Sequence, residues 1–279
     1  MSTCDSNCNS CESKDNCDHK LIDRMNKIKN KIMVLSGKGG VGKSSVAATL
    51  ALSLASQGNK VGLLDLDFHG PSIPTLFGVQ GMSLVSDGEN LVPLEAKGIK
   101  LLSVGFLLEN QDSAVIWRGP MKIGVIQQFL RDVEWGDLDY LIMDFPPGTG
   151  DEALSACQTV PNATGGIIVT TPQEVSLADC RKSIDFCRKL KLPILGVVEN
   201  MNGFVCPKCG EVTPIFSTGG GEKMAKSDNL PFLGSLPLDP TFTRKCDEGN
   251  ITVDLDSPVV EGIKAAAIEI QNSLKGVLK

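Results

Sequence analysis

Ser36-Gly37-Lys38-Gly39-Gly40-Val41-Gly42-Lys43-Ser44 is the stretch on which the reading of this 279-residue chain turns. From Gly37 onward it fits G-x-x-x-x-G-K-[ST], the pattern of a phosphate-binding loop. The apolar run Lys31–Ser36 ahead of it reads as a short strand. Lys43–Gln57 behind it has helical spacing, with the breaker Gly58 just after. Strand, glycine-rich turn and helix is the context the motif requires. The glycines let backbone N–H groups turn toward phosphate oxygens, and the helix N-terminus adds its positive dipole end. Lys43 is expected on the β- and γ-phosphates of ATP and Ser44 on Mg²⁺. The segment Gly37, Lys38, Gly39, Gly40, Val41, Gly42, Lys43, Ser44 and Ser45 is the expected nucleotide-binding element. Lys38 faces the same phosphates from the start of the loop. Sequence chemistry alone does not separate that role from a solvated loop lysine.

Working outward, the chain alternates strand and helix. Lys60–Asp65, Lys100–Val104, Tyr140–Asp144, Gly166–Thr170 and Ile194–Glu199 are apolar runs of strand length. Met121–Asp132, Val175–Leu190 and residues 257–276 read as helices, and residues 21–30 as a short lead-in helix. Unbroken apolar strands joined by helical crossovers predict an α/β fold: a doubly wound, mostly parallel sheet in one P-loop NTPase domain. Ligands of such sheets bind at the carboxyl ends of the strands. Asp65-Leu66-Asp67 closes one strand, and alternation puts both carboxylates on one face. Asp67 is the candidate for orienting the attacking water or an Mg²⁺-bound water. Asp144 ends Leu141-Ile142-Met143, as a Walker B acid does. Pro146-Pro147-Gly148-Thr149-Gly150-Asp151 then forms a stiff, glycine-hinged loop able to sense a γ-phosphate.

Composition narrows the function classes. The chain is 42% hydrophobic and 22% charged, with a net charge of −6. No basic field draws in nucleic acid or an anionic membrane. No apolar stretch of spanning length and no secretory signal are evident, so a cytoplasmic location is expected. Ten cysteines is many for such a chain, and clustered cysteines there point to metal or redox chemistry. Cys4, Cys8, Cys11 and Cys17 lie in a polar arm, residues 1–20, which cannot build a hydrophobic core. The remaining chain, 21–279, is the expected ATPase domain. It carries a Cys-x-x-Cys insertion near 201–216, with Cys206 and Cys209 as its thiols. Cys157, Cys180, Cys187 and Cys246 are scattered and read as small buried hydrophobes. Two thiolates cannot close a four-ligand site; Cys206 and Cys209 fit half an iron–sulfur site, a zinc half-site or a redox dithiol.

Several stretches together carry a family resemblance. Lys38-Gly39-Gly40-Val41-Gly42-Lys43-Ser44 resembles the deviant Walker A motif of the MinD/ParA/nitrogenase-reductase class. Asp65 to Pro74, Trp117-Arg118-Gly119-Pro120, Asp144 to Asp151 and Cys206-Pro207-Lys208-Cys209 resemble the Mrp/ApbC-type iron–sulfur cluster carriers, over roughly residues 30–275. The resemblance implies an ATPase that dimerises face to face, with Lys38 reaching the partner's nucleotide. It places Asn200 at the adenine edge. It further implies one [4Fe–4S] cluster bridging the Cys206–Cys209 pairs of a homodimer and passing to apo-proteins. A two-fold axis would supply the two missing ligands from the same pair. Cys8-x-x-Cys11-x₅-Cys17 resembles the second cluster site of the nucleotide-binding-protein branch. Cys4 departs from that branch, having only three residues between it and Cys8, so Asp5, Asp18 or His19 are alternative fourth ligands.

Two other readings use the same loop. A MinD/ParA-like spatial regulator would bind membrane or DNA, yet Val259–Lys279 offsets its lysines with Glu261 and Glu269 and reads as a packing helix. Such a regulator has no need of Cys206 and Cys209. An electron-transfer reductase needs a bridging thiol between Ser44 and Asp144, and none is present.

Overall fold

The fold is described by a computed structural model over residues 11–107 and 118–277, with 11–18 and 277 described by backbone alone. Cys4, Cys8 and Trp117 lie outside the described residues. In chain order come α1 (Cys11–Asn26), β1 (Ile28–Ser36), α2 (Lys43–Ser56), β2 (Val61–Asp65) and α3 (Ile73–Phe77). A small hairpin, β3 (Val85–Ser86) with β4 (Leu91–Val92), leads to β5 (Leu94–Ala96) and β6 (Ile99–Ser103). Then follow α4 (Gly119–Arg131), β7 (Leu138–Asp144), α5 (Asp151–Thr159), β8 (Gly165–Thr170), α6 (Glu174–Lys189) and β9 (Ile194–Glu199). A second hairpin, β10 (Phe204–Val205) with β11 (Val212–Thr213), precedes α7 (Gly220–Ser227), β12 (Phe232–Ser235), α8 (Pro240–Asp247) and α9 (Pro258–Val277).

One sheet organises the molecule, in the order β12-β9-β8-β1-β7-β2-β6-β5. Its pairs are parallel except β5–β6. The central strands are buried along most of their length, so their apolar runs do not alternate. From β1 the chain passes through α2 to β2, in one direction along the sheet. The steps from β7 to β8, β8 to β9 and β9 to β12 travel the other way. Right-handed crossovers therefore put α2 on one face and α5, α6 and α7 on the other. The packing agrees: α2 meets α3 and α9, α4 meets α5, and α6 meets α7. The direction reverses between β1 and β8, and the crevice beyond their carboxyl ends is where such a sheet binds ligands. The phosphate loop lies there.

The N-terminal edge departs from the sequence expectation. The helix expected at 21–30 runs instead over Cys11–Asn26, and the arm–domain boundary expected after residue 20 falls inside it. It stops early because Ile28 is taken by the sheet, in register with Leu138, and is buried. Lys31 then secures the helix end: its buried ammonium donates to the carbonyls of Met25 and Ile28, at 3.1 and 3.0 Å. The Met25 carbonyl is one of the orphan carbonyls of the helix terminus, satisfied by a cation as the dipole favours, and the Ile28 carbonyl belongs to the start of β1.

Candidate functional site

The loop after β1 wraps a cavity of about 380 Å³ lined by Ser36, Lys38–Ser45, Asp67, His69, Gly70, Ser72 and Pro147. Gly40 and Gly42 hold φ of 78° and 81°, the left-handed region that a Cβ penalises. Gly37 has a different reason to be glycine. A Cβ there would lie 2.4 Å from the backbone carbon of Asp179, because the loop rests directly on α6. Lys38–Ser45 therefore present their backbone to the cavity, above the N-terminus of α2, in the arrangement that binds phosphate.

Lys43 is buried in the floor. Its ammonium lies 2.5 Å from Asp144 Oδ1 and 3.7 Å from Asp67 Oδ2. All three lie where the sequence reading put them, although β2 ends at Asp65 and Asp67 stands two residues into the following loop. Asp65 carries more than the sequence showed. It is fully buried, accepts from Asp67 N–H at 3.1 Å and from Ser103 Oγ at 2.8 Å, and so shapes the turn that presents Asp67. Burial, then the neighbouring charge of Asp144, raises its pKa to about 7. Burial also raises Asp144, against the pull of Lys43. Asp144 Oδ2 is buried without a hydrogen bond, and Ser44 begins α2 at the same floor. Hard oxygen donors of this kind suit Mg²⁺.

Lys38 is half-buried at the cavity mouth, its ammonium 3.5 Å from Gln173 Oε1, a loose contact. Asn200 sits behind the loop. Its side-chain amide donates to Val41 O at 2.9 Å and its backbone N–H to Thr170 O at 2.7 Å. Asn200 thus braces the loop directly; it does not line the described phosphate cavity.

The cysteine pair lies a few residues beyond Asn200. Cys206 follows β10, donates its N–H to Glu211 O and accepts Gly210 N–H, both at 2.9 Å, which closes the turn of the hairpin. The N–H groups of Lys208 and Cys209 point at the Cys206 sulfur and lower its pKa. Cys209 is exposed beside it. Among the described residues no group of three or more His, Cys, Asp or Glu is placed to hold a metal, so the pair stands as two ligands. Cys157, Cys180, Cys187 and Cys246 behave differently: burial pushes Cys157 up to about 12 and Cys187 and Cys246 to about 11, and also raises Cys180. They are packing residues. Cys11 and Cys17 lie on the backbone of α1.

The sheet order and the cradle define the class: a P-loop NTPase of the ParA and MinD type. The family model described as "ParA: NUBPL iron-transfer P-loop NTPase" matches residues 27–271, and the chain belongs to that family. It is 47% identical to the "Iron-sulfur cluster carrier protein" of Methanocaldococcus jannaschii, over 99% of each chain. It is 51% identical to the "Cytosolic Fe-S cluster assembly factor NUBP2" of Rattus norvegicus, over 80% of this chain and 84% of that one. Among solved structures, the nucleotide-binding protein of Archaeoglobus fulgidus in complex with ADP superposes with a TM-score of 0.77. It is 40% identical, covering 86% of this chain and 95% of that one. MinD of Pyrococcus horikoshii, at 23% identity and a TM-score of 0.64 over 89% of this chain and 98% of that one, shares the fold. Among the described residues no helix is long and apolar enough to cross a membrane.

Proposed function

We propose that this chain is an ATP-hydrolysing iron–sulfur cluster carrier whose homodimer holds a [4Fe–4S] cluster between two Cys206–Cys209 pairs and passes it to apo-proteins in the cytoplasm. The observation that carries this is the Cys206–Cys209 turn: a surface two-thiol half-site with Cys209 exposed, in which backbone N–H groups lower the pKa of the Cys206 thiol. A two-fold partner would supply the other two ligands. Val212 and Ile215 stand exposed next to the turn, which suits burial against a second copy. The relatives' printed names support the cargo, and the word "cytosolic" in one of them supports the compartment.

In the ATPase half of this reading, Lys43 leaves its carboxylate partners to meet the β- and γ-phosphates. Ser44 and Asp144 would hold Mg²⁺, which when bound neutralises phosphate charge. Asp67 orients the attacking water, and Asn200 keeps the loop in place and borders the base. Lys38 would reach the partner's nucleotide across the dimer. Catalysis on this account is positioning and charge stabilisation, with no covalent step by the protein. The thiols of Cys4, Cys8, Cys11 and Cys17 form a second candidate cluster site.

Anaerobic reconstitution with iron and sulfide, in a chain lacking residues 1–20, tests the carrier reading. Charge-transfer absorbance near roughly 400 nm, about four irons per dimer and a shift to dimer are expected. All three should vanish in Cys206→Ser/Cys209→Ser while ADP affinity stays unchanged. Iron content and dimerisation that survive the double substitution would remove the bridging site, and zinc bound in place of iron would replace cluster cargo with a structural metal.

A further inference from the structure

Lys122 lies outside every motif considered so far, yet it is one of the few buried lysines. Its side chain is 6% exposed, at the end of the first turn of α4. Lysines are almost never buried without a partner, because stripping water from the ammonium is costly. The partners here are not on its own helix. The ammonium makes a short contact with Glu152 Oε1, lies 3.2 Å from His69 Nε2, and stands 5.8 Å from the centre of the Phe68 ring. His69 Nε2 is also 3.2 Å from the same Glu152 oxygen. Three segments separated in sequence meet at one charge.

Two of those segments border the nucleotide cavity. Phe68 and His69 directly follow Asp67, and Asp67 Oδ1 accepts the His69 N–H at 3.2 Å. Glu152 lies in the first turn of α5, which opens right after the Pro146–Gly150 loop; Gly148 N–H in that loop donates to Ser36 O at 2.8 Å. Asp67, His69 and Pro147 line the cavity; Lys122 is not among its described lining residues. Lys122 is thus set back from the cavity wall, behind residues that line it. It can fix the distance between the loop that presents Asp67 and the loop that faces the γ-phosphate position. A neutral side chain of similar length would fill the same space against Phe68 but leave Glu152 and His69 untied.

We infer that Lys122 is a positioning residue for ATP hydrolysis: through Glu152 and His69 it holds the Asp67–His69 loop and the start of α5 in one register. This rests on the ATPase reading above. Its signature is a split between turnover and binding, since the phosphate cradle is left intact. A displacement of about 1 Å in a water-orienting group can cost on the order of 100-fold in rate.

The test is steady-state ATP hydrolysis by the full-length protein, with ADP affinity measured alongside. Lys122→Met should lower kcat about 10- to 100-fold, with KM for ATP and ADP affinity each within about twofold of wild type. Lys122→Arg, which keeps the charge, should recover most of the loss. Glu152→Gln should reproduce the loss, and combining it with Lys122→Met should add little, because the two act as one unit. Should Lys122→Met fail to fold, the kcat of Glu152→Gln decides. An unchanged kcat in a folded Lys122→Met, or no rescue by Lys122→Arg, overturns the inference while leaving the ATPase reading intact. Absence of any Lys43-dependent hydrolysis by the wild-type chain brings down the ATPase reading, and this inference with it.

Discussion

The phosphate cradle and the cysteine turn are built in opposite ways. The cradle is deep. Lys43, Asp65, Asp67 and Asp144 are buried, Gly40 and Gly42 are fixed by backbone conformation and Gly37 by contact with α6, and Asn200 braces it from behind. The turn is shallow. It hangs on strands of two residues each, β10 and β11, with Val212 and Cys209 exposed. Charges that are buried must be paired within the chain, because an unpaired one is costly. Thiols at a surface need no such partner until a metal arrives. The difference teaches that a phosphate cradle can be assembled within one chain, whereas a two-thiol turn needs further ligands before it can close a four-ligand metal site.

Three substitutions bear on that comparison. Lys43→Ala is expected to have the largest effect. Losing two charge-assisted hydrogen bonds of roughly 1.5 kcal/mol each lowers the affinity for a non-hydrolysable ATP analogue about 100-fold and abolishes turnover. Titration with a fluorescent, non-hydrolysable ATP analogue measures this; an unaltered affinity would sink the cradle assignment. Iron loading at Cys206 and Cys209 should persist in this variant if the two regions are as separate as their construction indicates.

Lys38→Ala is expected to be more selective. Among the described residues its hydrogen-bond contact is the loose one to Gln173. ADP binding by the monomer should therefore stay within about twofold while turnover falls on the order of 100-fold, as for loss of one transition-state donor. Turnover rates measured across a range of protein concentrations check it. Normal turnover would mean that the cradle is complete without a second chain.

The smallest effect concerns Asp65 and the stability of the nucleotide-free protein. Its folded pKa is raised to about 7, by burial and by Asp144, from 3.8. Between those values the unfolded chain has released a proton that the folded chain still holds. Stability therefore falls as pH rises from about 4 to 7 and levels off above, by at most a few kcal/mol. Asp65→Asn keeps the acceptor for Asp67 N–H and removes the titration. Its melting temperature in EDTA should exceed wild type by several degrees at pH 8 and match it near pH 4. Parallel melting curves across that range would show that Asp65 does not titrate there.

Much of this was legible before any coordinates. The strand tip Asp144, the loop and the buried strands follow from local pattern, since a parallel sheet covered on both faces leaves unbroken apolar runs, whereas Asp67 stands two residues past the end of β2. The edges were not legible. Nothing in the polar run Ile28-Lys29-Asn30 marks a strand; its pairing with Leu138 and Tyr140 decides it. The helices α5, α7 and α8 are only nine, eight and eight residues long, so each offers barely two turns of pattern to read. The role of Asp65 depends on burial. The meeting of Lys122 with His69 and Glu152 depends on contacts 53 and 30 residues apart in sequence. No local pattern encodes either.

Gly42 and Asn200 are a final case of such distant dependence. A Cβ on Gly42 would come within 2.2 Å of the Asn200 amide nitrogen, and Gly42 already holds a left-handed φ of 81°. Neither position can be altered alone without penalty. A larger residue at 42 collides with the amide, and a smaller one at 200 strips Val41 of its donor. The two sites are epistatic: a mutational path through either one must pass through a poorer protein or change both together. The nucleotide loop and the segment that leads to the cysteines are thus bound in heredity as well as in space.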